Sequence, residues 1–199
     1  MSMNKALSAA GIKLAYRYLD SNVEENIPKL MKWVDRLAGE ENYKSQRDVI
    51  RKVIENRDNN WYKLILNVWS DIDPEVRKVF FMNFILNANL SGGPMQDESR
   101  EKYGCNIPWA ILMDPTSACN LKCTGCWAAE YGNRMSMNFE TLDSIIEQGK
   151  KLGVYFYIYS GGEPLVRKKD IIRLCEKHAD CQFLAFTNGT LIDEAFADE

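Results

Sequence analysis

Three short runs of strand-forming residues most constrain what this chain can fold into. They are Trp109-Ala110-Ile111-Leu112-Met113, Val154-Tyr155-Phe156-Tyr157-Ile158-Tyr159 and Phe183-Leu184-Ala185-Phe186. Each is continuously apolar rather than alternating, the pattern of strands buried on both faces by helices. Helical patterns fill the gaps. Phe139, Leu142, Ile145 and Ile146 share one face, and Gly153 offers a left-handed stop. Ile171, Ile172, Leu174 and Cys175 form the face of a second helix. This alternation predicts an α/β fold, βαβαβ with a parallel sheet.

A polar motif follows each run: Cys119, Cys123 and Cys126 after the first, Gly161-Gly162-Glu163-Pro164 after the second, Thr187-Asn188-Gly189-Thr190 after the third. Parallel strands bring their C-terminal ends to one rim, where α/β folds hold ligands. Three segments far apart in sequence are therefore predicted to meet around one site. The second motif alone reads as a turn; on a rim beside the cysteines, its glycines allow close backbone approach and let main-chain oxygens and the Glu163 carboxylate face a cationic amine. The third motif reads equally as a turn.

The cysteine spacing, C-x3-C-x2-C, is short enough for one loop to wrap one centre. Soft thiolates select iron–sulfur clusters, zinc or copper(I) over oxygen-loving cations. Structural zinc needs a fourth ligand, for which Cys105 is the nearest candidate, and paired C-x2-C knuckles are absent. A cubane cluster is ordinarily held by four cysteines, so a loop supplying three leaves one iron open to a small molecule. Cys175 and Cys181 read as small core residues. His178, the single histidine, reads as a helix-end residue near the local dipole. Glu130, Tyr131 and Arg134 read as a solvated loop.

Taken together, Cys119, Cys123, Cys126, Gly161 to Pro164 and Thr187 to Thr190 resemble, in kind and order, the motifs of the radical S-adenosylmethionine (radical SAM) enzymes. The resemblance covers residues 107–199 and implies the first half of a (βα)6 partial TIM barrel. It implies a [4Fe–4S] cluster on Cys119, Cys123 and Cys126 whose open iron chelates S-adenosyl-L-methionine. It further implies that Gly161, Gly162, Glu163 and Pro164 contact the cofactor's methionine amine and that Thr187 and Asn188 line its pocket. The reaction implied is reductive cleavage to a 5′-deoxyadenosyl radical that abstracts hydrogen from a substrate, fed by a low-potential donor such as ferredoxin or flavodoxin. Where the family often has an aromatic residue before the third cysteine, this chain has Gly125, with Trp127 one residue after that cysteine. Some peptide-modifying (SPASM-type) members share this form, so a peptide is a candidate substrate. The competing reading is a non-catalytic zinc- or iron–sulfur-binding interaction protein, which metal analysis separates from the enzyme.

Ahead of these motifs the chain reads as helix after helix. Apolar stripes comprise Leu7, Leu14 and Tyr18; Ile27, Leu30, Val34 and Leu37, with Pro28 suited to a first turn; Val49, Ile50, Val53 and Ile54; and Trp61, Leu64, Ile65, Val68 and Trp69. Asp73-Pro74-Glu75 opens a fifth helix running to about Asn89. Ser91-Gly92-Gly93-Pro94 and the polar run after it read as a linker. The expected organisation is an all-α helical module over 1–90, a linker over 91–108 and the partial barrel over 109–199.

Residues 1–100 carry 15 Lys+Arg against 14 Asp+Glu, and residues 101–199 carry 10 against 14. Neither half has the basic excess of a nucleic-acid footprint. No apolar stretch is long enough to span a bilayer: the longest, Val79 to Leu86, is interrupted by Asn83. With no signal-peptide pattern at Met1 to Gly11, a cytoplasmic location is expected, where thiols stay reduced. Three strands and two complete helices fall short of six units, so the chain is expected to be the N-terminal part of a longer protein.

Overall fold

The computed structural model describes residues 3–38 and 44–198, with side chains outside 3–9, 37–38 and 129–131. The expectations for Leu7, Leu37, Glu130 and Tyr131 lie outside the described side chains. Two compact units divide the chain, Met1–Met82 and Asn83–Glu199.

The first unit is helical: α1 Met3–Ser21, α2 Val23–Ala38, α3 Lys44–Glu55, α4 Asn60–Asp71 and α5 Pro74–Phe80. Capping residues mark the starts. The Asn22 side chain accepts from Glu25 N at 3.2 Å, the Asn59 side chain from Trp61 N, and Asp73 from Glu75 N and Val76 N ahead of Pro74. Pro28 lies inside α2 rather than in its first turn, where it removes one ladder hydrogen bond. Leu19, Ile27 and Ile54 form the core, with Leu30, Ile65 and Trp69 packed against it. In α1 the buried stripe is Tyr16 and Leu19; Leu14 is 63% exposed, so the apolar face is offset from the expected one. Arg77 is buried, donates to Trp69 O at 2.7 Å and Asp20 Oδ1 at 2.6 Å, and so closes the C-terminal end of α4.

From Phe81 to Ser91 the chain continues as a π-helix, and α6 spans Gly92–Tyr103. The wider π turn places Asn83 and Asn87, four residues apart, over the turn at 179–181. Asn83 Nδ2 donates to Ala179 O at 3.0 Å and Cys181 O at 2.9 Å, and Asn87 Nδ2 to Asp180 O at 2.8 Å. The expected linker over 91–108 is therefore corrected, since most of it is α6. Gly92 and Gly153 meet backbone to backbone, and a Cβ on Gly92 would lie 2.4 Å from Gly153 O. Gln96 Nε2 adds a bond to Gly153 O at 2.9 Å. Pro94 falls in the first helical turn, where no N–H is needed.

Three parallel strands follow in the order β1-β2-β3: β1 Ile111–Met113, β2 Phe156–Tyr159 and β3 Gln182–Ala185. Helices α7 (Phe139–Lys151) and α8 (Lys168–Lys177) form the crossovers, and a short α9 (Glu194–Asp198) follows β3. One core contains Met113, Tyr157 and Tyr159 from the sheet, Leu142 and Ile146 from α7, and Ile171 and Leu174 from α8. Both helices thus cover the same face. On the opposite face Leu112, Ile158 and Leu184 are in register, with Leu112 56% and Leu184 42% exposed. The expectation of strands buried on both faces fails here, because α7 and α8 both pack on the same face and leave Leu112 and Leu184 exposed on the other. At the N-terminal end of that face Phe84, Trp109 and Phe156 pack edge to face, with centroids 5.2–5.9 Å apart. No helix among the described residues is long and apolar enough to cross a membrane.

His178 stands at the C-terminal end of α8, the helix-end position expected for it. It is buried, with Nε2 at 2.8 Å from Asp143 Oδ1, and it joins the end of α8 to α7. The Lys177 ammonium, 2.7 Å from Asp143 Oδ2, holds that carboxyl below its usual value of 3.8. A depressed acid stabilises the fold above its unfolded pKa, and the contribution is lost as pH falls through the lower folded value. Asp143→Ala is expected to cost about 2 kcal/mol at pH 7 by orphaning buried His178. Urea unfolding should show the gap to wild type narrowing once the pH drops below 3.8.

Candidate functional site

All three motifs sit beyond the C-terminal ends of the strands. Past β1, Ser117 N donates to Met135 O at 2.8 Å and Met137 N to Pro115 O at 3.0 Å. This antiparallel closure, with a bridge between Thr116 and Ser136, ties off the cysteine loop at its base. Within the loop Cys126 N donates to Cys123 O at 3.3 Å, closing a turn over Thr124 and Gly125. Gly125 has φ 77°, which explains a glycine where an aromatic residue was the alternative. Leu121 N donates to Cys119 Sγ at 3.4 Å.

Cys119 and Cys126 are partly exposed and Cys123 is exposed; all three are free thiols. The three thiols share one short loop, are reachable from solvent and are donors of the type a thiophilic centre takes, but their sulfurs do not all lie within 4.8 Å of one another. Cys175 and Cys181 differ, as expected for core residues. Burial pushes their thiols up, to about 11 and about 12, which keeps them protonated. Cys105 lies exposed after α6, outside the loop.

The glycine pair packs directly on the base of the cysteine loop. Gly162 N donates to Thr116 O at 3.0 Å, and Glu163 N to Ala118 O at 2.8 Å. A Cβ on Gly161 would lie 2.6 Å from Thr116 O; one on Gly162 would lie 2.3 Å from Ala118 O. The two glycines are thus required by loop-on-loop contact.

Glu163 departs from expectation. Its carboxylate is 1% exposed and accepts from Leu165 N, Thr187 Oγ1 and Asn188 N, each at 2.8 Å. It clamps the end of β3 to the end of β2 instead of standing free to face an amine. Pro164 is buried at the start of a 3-10 turn, Pro164–Arg167. Thr187 and Asn188 are the partners of that clamp.

Beside the clamp lies a cavity of about 360 Å³ lined by Asp114, Thr116, Ser117, Trp127, Met135 and the two glycines, among others. Trp127 is 58% exposed and forms a wall of this cavity, so it is not core filler. Sequence reasoning missed Asn120, which bonds to Asn188 and Thr190 across the rim, and Arg167. Arg167 donates to Met137 O at 2.7 Å, tying the turn after β2 to the segment that leaves the cysteine loop. Neither carries a motif signal; Asn120 could have been flagged only by its place beside Cys119.

Residues 113–199 match the family model described as the radical SAM superfamily. A GTP 3′,8-cyclase of Geobacter sulfurreducens is 32% identical over 105 residues, 49% of this chain and 32% of the relative. An Fe-coproporphyrin III synthase of Methanosarcina barkeri is 33% identical over 93 residues, 44% and 23% of the two lengths. A PqqA peptide cyclase of Granulibacter bethesdensis is 32% identical over 95 residues, 46% and 25%. The chain thus spans about a quarter to a third of the length of the curated relatives it matches. No solved structure matches it significantly. The cysteine loop and both rim motifs lie inside the matched segment, so residues 113–199 are similar to the radical SAM superfamily.

Proposed function

We propose that Cys119, Cys123 and Cys126 hold a [4Fe–4S] cluster and that the backbone of Gly161 and Gly162, with the adjoining cavity, receives S-adenosyl-L-methionine. The whole protein would then be a radical SAM enzyme built on a (βα)6 partial barrel. One observation carries this reading: the cysteine loop, the glycine pair and the Thr187-Asn188 segment are hydrogen-bonded into one rim above three adjacent parallel strands. A cluster held by Cys119, Cys123 and Cys126 would supply one-electron reduction, and S-adenosyl-L-methionine received at Gly161 and Gly162 would supply the hydrogen-abstracting chemistry.

The chain's own residues bind and orient. The antiparallel closure at Thr116 and Ser136 ties off the base of the loop that carries the three cysteines. Glycines at 161 and 162 let main-chain atoms, rather than side chains, form the cavity edge beside the loop. Trp127 gives the cavity an apolar wall suited to a flat heterocycle. Glu163 sets the loop after β3 through Thr187 and Asn188, and so acts on the pocket indirectly. The electron donor would be a ferredoxin or flavodoxin. A peptide is the favoured substrate class, on the Cys-Thr-Gly-Cys-Trp form and the likeness to a peptide cyclase.

Anaerobic reconstitution tests the centre. The chain should take up about four iron and four sulfide, turn brown, and change its reduced EPR signal when S-adenosyl-L-methionine is added. Colourless protein holding a single zinc would overturn the reading.

A further inference from the structure

The rim contains a closed ring of side-chain hydrogen bonds that no motif accounts for. Asn188 Nδ2 donates to Asn120 Oδ1 at 3.0 Å, Asn120 Nδ2 donates to Thr190 Oγ1 at 2.7 Å, and Thr190 Oγ1 donates to Asn188 Oδ1 at 2.7 Å. Every donor faces an acceptor, with no clash of like groups around the ring. Such head-to-tail closure polarises each bond in the same sense. Thr190 N also donates to Asn188 Oδ1 at 3.0 Å, which fixes the amide's orientation.

The placement gives this ring a task. Asn120 directly follows Cys119, and Asn188 lies 68 residues away after β3. Asn188 is held in turn, because its backbone N–H donates to Glu163 Oε2 at 2.8 Å. Glu163 is anchored through its own N–H to Ala118 O at 2.8 Å, on the residue before Cys119. The circuit therefore leaves the cysteine loop at Ala118, passes through the loops after β2 and β3, and returns at Asn120. Cys119 is flanked on both sides by residues tied to other strands. By contrast, among the described residues the bonds at Cys123 and Cys126 stay within the loop.

We propose that Asn120 and Asn188 form a latch that holds the first cysteine of the triplet against the end of β3, so that the third strand sets the position of one cluster ligand. They are positioning residues, since neither is itself a thiolate donor. The proposal rests on the cluster reading for its consequence, but the latch can be measured without metal. Because Asn120 makes both cross-loop bonds and Asn188 one of them, removing Asn120 should do at least as much as removing Asn188, and removing both should add nothing to the loss of Asn120.

The test uses Asn120→Ala, Asn188→Ala, the double variant and Asn188→Asp. Asn188→Asp keeps the acceptor for Thr190 and loses the donor to Asn120. In the metal-free chain, backbone hydrogen exchange at Leu121 should quicken about fivefold in Asn188→Ala, for one broken loop-to-loop bond of ordinary strength, at least as much in Asn120→Ala, which breaks two, and no further in the double than in Asn120→Ala. Asn188→Asp should behave as Asn188→Ala, with the melting temperature unchanged in all four. In the reconstituted chain the same variants should lose cluster to an iron chelator faster and alter the reduced-cluster EPR line shape, which a general loss of stability would not do. Exchange at the wild-type rate, effects that multiply in the double variant, or a wild-type-like Asn188→Asp would each overturn the latch. A wild-type chain that takes up no cluster while its exchange responds as stated would remove the cluster reading and leave the latch standing.

Discussion

Cys123→Ala is expected to leave a chain that folds normally and cannot retain a cubane cluster. Two facts set the size of this effect. Cys123 is exposed, so its truncation removes little buried area, and the metal-free chain should stay within about 0.5 kcal/mol of wild type. A cluster, in contrast, would have three protein ligands in this loop, and removing one would leave two thiolates for four irons. Iron and sulfide after anaerobic reconstitution should fall to background, with the brown colour absent. Cys181→Ala makes the opposite pair of outcomes: this thiol is buried and pushed up to about 12, so the cluster should form while stability drops. A Cys123→Ala chain that still binds four irons would remove the C-x3-C-x2-C loop from its assigned role.

Gly162→Ala carries the largest expected loss of rim structure. The new methyl carbon would meet Ala118 O at 2.3 Å and Ser117 O at 2.5 Å, both backbone atoms of the cysteine loop. No flexible side chain stands there to yield. The loops must separate, and the bonds Gly162 N to Thr116 O and Glu163 N to Ala118 O are strained or lost. Overpacking of this kind costs about 1–3 kcal/mol, and the displaced loop should bind the cluster poorly as well. Gly93→Ala is the control, with nothing within 4 Å of its added Cβ in the first turn of α6. Thermal unfolding and iron content on both variants check the prediction. Equal behaviour of the two would show that the glycine pair is only a turn.

What could be read without coordinates follows from local physics. Continuous apolar runs of β-formers reported the strands, helical periodicity reported α7 and α8, and Gly153 terminated α7 with φ 89° as expected. Asp73-Pro74-Glu75 opened α5 through a cap whose donors lie two and three residues on. Helix α6 was hidden because Gly-Gly-Pro reads as a breaker; its Gly92 makes close backbone contact with Gly153. The π-helix was hidden as well, since its reward is a pair of asparagines bonding to carbonyls more than ninety residues away.

The sequence by itself determined the class of chemistry: three thiols at loop spacing, placed with two other polar motifs at strand ends, are a property of residue type and order. Only the tertiary structure decided how those motifs are used. Glu163 reads as a free acid until its three donors, on Leu165, Thr187 and Asn188, are seen around it. His178 reads as a helix end, which it is, but its bond to Asp143, 35 residues distant, comes only from the fold. The physical reason is range: secondary structure responds to neighbours within a turn or a strand, whereas a side chain's hydrogen-bond partners are set by which distant segments the fold brings within 3 Å.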